Sequence, residues 1–319
     1  MVEFETQISP QVQNTLSELE NERKAIVDEK YKGWGAIIFS GVVIFLMGAL
    51  GVIIAGLLLG LCGIGYGIYV LYAISEKEKS YKDRYKRDVI GATLVAIDAN
   101  LTFDHYKGIL ESEFRYSQLF STTPDRYSTE DLIIGKLDKT GFYFAEVHAE
   151  YKTETQTKNG RQVSWHDILK GIIFVADFNK HFNGITIVRP KSMSASISAW
   201  FSKNVFSFGN KSVVQLENDT FNKDFVVYSS DQIEARYILT PALMERITDL
   251  NKRSAYHVSL SFIASRMYIA FPLDHNYFEP PMFKTLLNPN LLSNDINILN
   301  FMCDIVRELD LNTRIWTKQ

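Results

Sequence analysis

Three groups of side chains have types and spacings that could do chemistry. Glu146, His148 and Glu150 alternate along one stretch, and three such ligands at a period of two residues could hold a divalent metal on one face of a strand. The opposite face of that strand is Tyr143, Ala145, Val147, Ala149 and Tyr151, a set suited to a core, so a polar outer face explains the same pattern without a ligand. Asp231, Glu234 and Arg236 fall within six residues, beside Tyr228 and Tyr237. They could serve as acid and base around an anion, or as an ion pair bracing an extended or turn segment. Asp177, Asn179, Lys180 and His181 follow an apolar strand pattern, where a ligand site and Asx-type turn bonding predict the same residues. No nucleophile elbow, zincin, P-loop, dinucleotide or zinc-finger spacing occurs, so no cofactor is expected.

A fourth group is electrostatic. The 39 residues between Asp177 and Glu217 hold Lys180, Arg189, Lys191, Lys203 and Lys211 but no acid. Met193, Ile197, Trp200 and Phe201 share a helical face there, a pattern for resting on an anionic membrane surface or for docking on the protein's own sheet. Lys191, Ile197, Trp200, Phe201 and Lys203 are the residues expected to meet the membrane. Nucleic acid is not an expected partner, because aromatic platforms do not recur along the basic stretch and the chain carries a net charge of −3.

These groups need a scaffold, and the pattern after Val89 supplies one. DLIIGKL (131–137) and FYFAEVHAEY (142–151) read as strands joined by the turn DKTG, and Asn159-Gly160 marks another hairpin. Further strands are expected at Gly171–Phe178, Ile185–Val188, Val213–Leu216, Phe225–Tyr228, His257–Ile263 and Met267–Phe271. Helices are expected from Thr240-Pro241, a cap followed by a first-turn proline, to Asn251, and over Ser293–Leu309. The fold class is α+β: an N-terminal helix, a two-helix transmembrane hairpin, then a cytoplasmic domain with a mainly antiparallel sheet and flanking helices.

The hairpin follows from composition. Ten of the 18 glycines lie in Gly33–Ser75, a run of 43 residues without a charged side chain. About 20 apolar residues cross a bilayer core, so this run makes two spans, about 34–49 and 52–74, turning near Leu50-Gly51. A wedge entering one leaflet and returning is the alternative. Lys and Arg stand before the first span and after the second, with none at the turn, so both termini should be cytoplasmic. Gly56, Gly60, Gly63 and Gly67 form one stripe on the second helix, with Gly41 and Gly48 on the first. Such stripes pack helices within one hairpin or between copies, and a homo-oligomer is one expectation. No ionisable residue lies within the spans, which argues against transport by the hairpin alone. Before it, Val12, Leu16, Leu19, Arg23 and Ile26 form a seam interrupted by Arg23, on a helix starting at Ser9-Pro10. The expected domains are 1–32, 33–75, a basic juxtamembrane helix at 76–88, and 89–319.

KGIIFVADFNKHFNGITIV (170–188) and DQIEARYILTPALMERI (231–247) resemble the signature segments of a bacterial two-span membrane-protein family catalogued as a domain of unknown function. Its members are often encoded near LemA-type proteins. The resemblance implies an inner-membrane protein with a cytoplasmic domain, and carries no catalytic residue. The leading expectation is a membrane-anchored binding or scaffold module for a protein partner. The alternative is a membrane-tethered enzyme working at Asp177 or at Asp231, Glu234 and Arg236.

Overall fold

A computed structural model of the chain describes residues 10–157, 160–178, 181–191, 211–254, 257–273, 275–288 and 290–309. The chain forms two compact units, Met1–Ala96 with Phe278–Asn294, and Ile97–Tyr277 with Asp295–Gln319. The first unit therefore extends past the expected boundary at residue 88 and includes a late segment that the sequence pattern assigned to the α+β body.

In the first unit, α1 (Pro10–Ala49) runs unbroken from the polar arm through the first apolar stretch. Leu50 and Gly51 form the turn, Gly51 at φ +79°, a conformation costly for residues with a Cβ. The second helix, α2 (Ile53–Arg84), passes into a π-helical turn at Tyr85–Ile90 and then α3 (Gly91–Ile97). Both long helices are apolar and long enough to cross a membrane. Beyond the apolar region they are tied by Lys30–Glu78 at 2.6 Å, Lys77–Glu29 at 2.8 Å, and Arg84 with Glu18 at 3.2 Å and with Glu22. Exposed pairs contribute at most about 1 kcal/mol each, but together they fix the helix register. The bases of the expected juxtamembrane helix are thus largely engaged inside the unit, and the π turn places Lys86 in the interior with its Nζ 2.7 Å from Glu279.

The seam on α1 is buried in full, Arg23 included. Arg23 donates to both carboxylate oxygens of Glu20 and to the Met282 carbonyl, while Glu20 also accepts from the Leu286 backbone N–H. What interrupts the apolar pattern is the anchor for the 278–294 segment.

The second unit is built on one sheet. Among the described residues it has nine strands: β1 (Thr102–Asp104), β2 (Arg126–Leu137), β3 (Thr140–Thr157), β4 (Gly160–Asp177), β5 (Ile185–Pro190), β6 (Ser212–Val214), β7 (Phe225–Ser229), β8 (Ser259–Ile263) and β9 (Arg266–Pro272). Their order is β1-β2-β3-β4-β9-β8-β5-β7-β6, with antiparallel neighbours. The fold class is α+β with a large antiparallel sheet and flanking helices, as the sequence pattern implies.

Both faces of the sheet centre are buried. One face gathers Ala145, Val147, Ala149, Ile173, Val175, Tyr268 and Ala270 under Phe114 of α4 (Glu111–Tyr116) and the following Leu119 and Phe120. The Ser261 hydroxyl donates to the Ser117 carbonyl at 2.6 Å and fastens that cover. The other face stacks Phe142 and Phe144 against Phe174, and Phe271 meets Phe301 of α8 (Ser293–Glu308) edge-on. Close approach at one strand crossing demands glycine: a Cβ on Gly171 would lie 2.9 Å from the Pro272 Cα and nearer still to the Phe271 carbonyl. The remaining helices are α5 (Asp219–Asp224), α6 (Gln232–Ile238) and α7 (Pro241–Arg253), the last capped by Thr240, whose Oγ1 accepts from the Leu243 N–H.

Candidate functional site

Strand β3 is not the half-buried strand that its alternation suggests. Phe142, Phe144 and Glu146 are buried on the face expected to be polar and outward, and that face opens to solvent only from His148 onward. Glu146 accepts from the Tyr277 backbone N–H at 2.7 Å, and its carboxylate groups with those of Glu130 and Asp131. The trio Glu146, His148 and Glu150 is therefore divided between two clusters.

His148 and Glu150 instead meet Asp167 of β4, with their ligand atoms within 4.8 Å of one another. A register shift makes this possible. Opposite Ala149 stands Leu169, but opposite Glu150 stands Asp167, so Ile168 is an extra residue in β4. Ile168 and Leu169 both point into the same core cluster, so Asp167, which precedes them, is turned to the face of His148, where Lys170 also stands opposite His148. Without the bulge Ile168 would stand opposite Glu150, and Asp167 would point to the other face. His148 Nε2 lies 2.7 Å from Asp167 Oδ1. Arg126 Nη1 donates to Glu150 Oε2 at 3.1 Å while its guanidinium lies 4.0 Å from the centre of the Trp165 ring. The cluster thus carries two carboxylates and one guanidinium around an imidazole, with Lys170 opposite His148 on the same face, at the base of a long, solvated β3-β4 arm.

The group Asp231, Glu234 and Arg236 is helical, not extended. Asp231 is the N-cap of α6, its Oδ1 accepting from the N–H groups of Ile233 and Glu234 at 2.9 and 3.0 Å. Glu234 accepts from the N–H groups of Asn183 and Gly184 at 3.0 and 2.7 Å, and Arg236 donates back to the Gln232 carbonyl at 3.1 Å. Each charged end is spent on backbone, an arrangement that braces the turn before β5. Asp177 ends β4 opposite Arg266, near Gly141, and His181 bonds Ser265 at 3.2 Å. Asn179 and Lys180 lie outside the described residues.

The described bases of the basic stretch are engaged within the body. The Arg189 guanidinium lies 5.8 Å from the centre of the Tyr228 ring, where burial pushes its pKa down to about 10. Lys191 donates to the Asn222 carbonyl and Lys211 to Gln118 Oε1 at 2.8 Å. Lys211, its pKa lowered by burial, lines a cavity of about 240 Å³ with Arg115 and the hydroxyl residues Ser121, Thr122 and Thr123, suited in size and donors to a small anion. Ile197, Trp200, Phe201 and Lys203 lie outside the described residues.

The stripe glycines of α2, Gly56, Gly60, Gly63 and Gly67, face α1. A Cβ on Gly56 would fall 2.6 Å from Met47 Cβ, and one on Gly67 would fall 2.7 Å from the Gly33 carbonyl oxygen. Gly60 and Gly63 sit equally tightly against Ile44 and Ser40. Gly41 and Gly48 are not part of this seam, and a Cβ at either meets nothing within 4 Å. The small residues of α1 at the contact are Gly33 and Ser40. No spacing signal could have chosen them over Gly41 and Gly48, because the helix phase is set by the partner.

Among curated proteins, none matches the chain. Among solved structures, the mycobacterial trehalose monomycolate transport factor A, TtfA, overlaps 71% of this chain and 95% of its own at 8% identity, with a TM-score of 0.36. No residue role is carried over from it. Residues 167–311, which begin at Asp167 and contain both signature blocks, match the family model described as "Protein of unknown function (DUF3137)".

Proposed function

We propose that this chain is an integral protein of a bacterial inner (plasma) membrane, anchored by the α1-α2 hairpin with both termini cytoplasmic, and that its α+β body is a binding or scaffold module for a protein partner. The observation that carries the anchor is the exterior of the packed hairpin. Phe39, Phe45, Leu46, Ile54, Leu58 and Leu59 are all more than half exposed, an apolar surface that water does not tolerate and lipid does. Lysines and arginines at the outer ends of both spans, with none at the turn, support the orientation. A binding role is favoured over catalysis because Asp231, Glu234 and Arg236 are committed to backbone groups. Association of copies, if it uses glycines, falls to Gly35, Gly41, Gly48 and Gly65, since the α2 stripe is filled by α1.

Cysteine accessibility tests the anchor. In a chain with Cys62→Ser and Cys303→Ser, Leu50→Cys is expected to react with an impermeant maleimide on intact cells, and Lys79→Cys only after lysis. Protection of Leu50→Cys on intact cells would favour the one-leaflet wedge, and labelling of Lys79→Cys from outside would reverse the topology.

A further inference from the structure

We infer that His148, Glu150 and Asp167 form a binding site for a divalent transition-metal ion of the zinc type. The donor set is one imidazole nitrogen and two carboxylate oxygens, the mixture that zinc-like ions accept and that leaves a fourth position open to water or a substrate atom. Three features favour it over an ordinary polar strand face. The ligand atoms already lie within 4.8 Å of one another. In a tetrahedral site with bonds of about 2.1 Å they would be about 3.4 Å apart, a contraction that side-chain rotation supplies. His148 Nε2 and Asp167 Oδ1, now 2.7 Å apart, need only separate slightly to admit an ion between them.

The second feature is where the ligands come from. His148 and Glu150 sit two residues apart on a single strand, and Asp167 joins them only through the Ile168 bulge of β4. All three stand on paired central strands, which hold ligand geometry better than loops do. The third is charge. Glu150 and Asp167 are directly opposite across the two strands, where like charges repel. Arg126 relieves Glu150 from one side, and its stacking on Trp165 gives the guanidinium a resting place if a metal takes that carboxylate. A dication offsets the remaining repulsion.

Zinc titration into full-length, tag-free protein in detergent, stripped beforehand with chelator, tests the site by calorimetry, with cobalt absorption as a second readout. One saturable equivalent is expected, at least about tenfold weaker in His148→Ala and in Asp167→Asn, since even outer-shell losses cost 10- to 100-fold. His166→Ala is the control, because that ring stacks on Tyr151 on the other face and should bind as the parent does. Asp167→Asn preserves side-chain size, so it decides the matter if His148→Ala fails to fold. Absence of saturable zinc binding, or unchanged affinity in Asp167→Asn, overturns the assignment.

Discussion

Arg23 and Glu20 form a buried ion pair one turn apart on α1, with Nη2 2.8 Å from Oε1 and Nε 2.9 Å from Oε2. The pair is tied further: the carboxylate also takes the Leu286 N–H and lies 3.7 Å from the Lys24 Nζ, and the guanidinium also gives to the Met282 carbonyl. Two side chains on a helix thereby bind a segment about 260 residues away in sequence. Removing one partner leaves the other buried without its match. Arg23→Ala is expected to lower stability by about 2–3 kcal/mol. In thermal melts Glu20→Gln with Arg23→Met should cost less than the two single changes added together, and strict additivity would mean that the pair does not act as a unit.

The same carboxylate predicts a pH response. Hydrogen bonding from Arg23, opposed by burial and reinforced by the Leu286 N–H, lowers the Glu20 pKa from 4.5 to about 2. A pKa depressed by folding means stability that is present in full above about 4.5 and is lost as pH falls toward about 2. Proteolytic cleavage within 278–294 should therefore rise across that window in the parent. Glu20→Gln should show raised cleavage already at neutral pH and a flatter profile.

The hairpin seam predicts an asymmetry between glycines of the two helices. Gly67→Val drives a side chain toward the Gly33 carbonyl, which belongs to backbone and cannot rotate away, and should cost about 1–3 kcal/mol or splay the helices. Gly41→Ala meets open space and should leave the hairpin intact. Disulfide trapping between cysteines placed at Ser40 and Gly63, where a Cβ at Gly63 would lie 3.3 Å from the Ser40 Cβ, reports on the seam in both.

Asp231 and Glu234 should behave as structural residues. Asp231→Ala removes an N-cap and should cost about 1 kcal/mol. Glu234→Ala strands the N–H groups of Asn183 and Gly184 and should cost about 1–3 kcal/mol. Amide exchange at 183–185 is expected to quicken in Glu234→Ala. If Glu234→Ala left both exchange and stability untouched, these carboxylates would need another purpose.

Gly171→Ala tests the β4-β9 crossing. The added methyl meets the Phe271 carbonyl, Pro272 Cα and Leu273 N, all backbone, so no side-chain motion relieves it. Loss of folded protein in detergent, or destabilisation of about 3 kcal/mol or more, is expected by circular dichroism.

The sequence by itself determined what depends on local composition and short-range period. Forty-three uncharged residues with ten glycines mark two apolar helices long enough to cross a membrane whatever follows them, because length and composition are local properties. The 4-3-4 spacing of Gly56, Gly60, Gly63 and Gly67 puts them on one face by helix geometry alone. Thr240-Pro241 marks a cap through its own backbone preferences, while Asn159 of the expected Asn159-Gly160 turn lies outside the described residues. Strand β1 and helices α3 to α5 went unread, and α6 was read as an extended or turn segment, since three to seven residues hold too little pattern to rise above chance. The strands of the arm beyond Tyr151 were also missed although a hairpin was expected at Asn159-Gly160, because their residues are mostly polar and solvated, with only Val163 and Trp165 apolar.

Only the tertiary structure decided the partners. Which glycines meet backbone depends on how α1 rotates against α2, and the outcome selects Gly33 over Gly41. Whether Arg23 spoils a seam or anchors a segment depends on residues 278–294. Whether His148 and Glu150 keep company with Glu146 or with Asp167 depends on two-sided burial of β3 and on one extra residue in β4. Each is a long-range contact, set by the packing of the whole unit, and no window along the chain contains both of its sides.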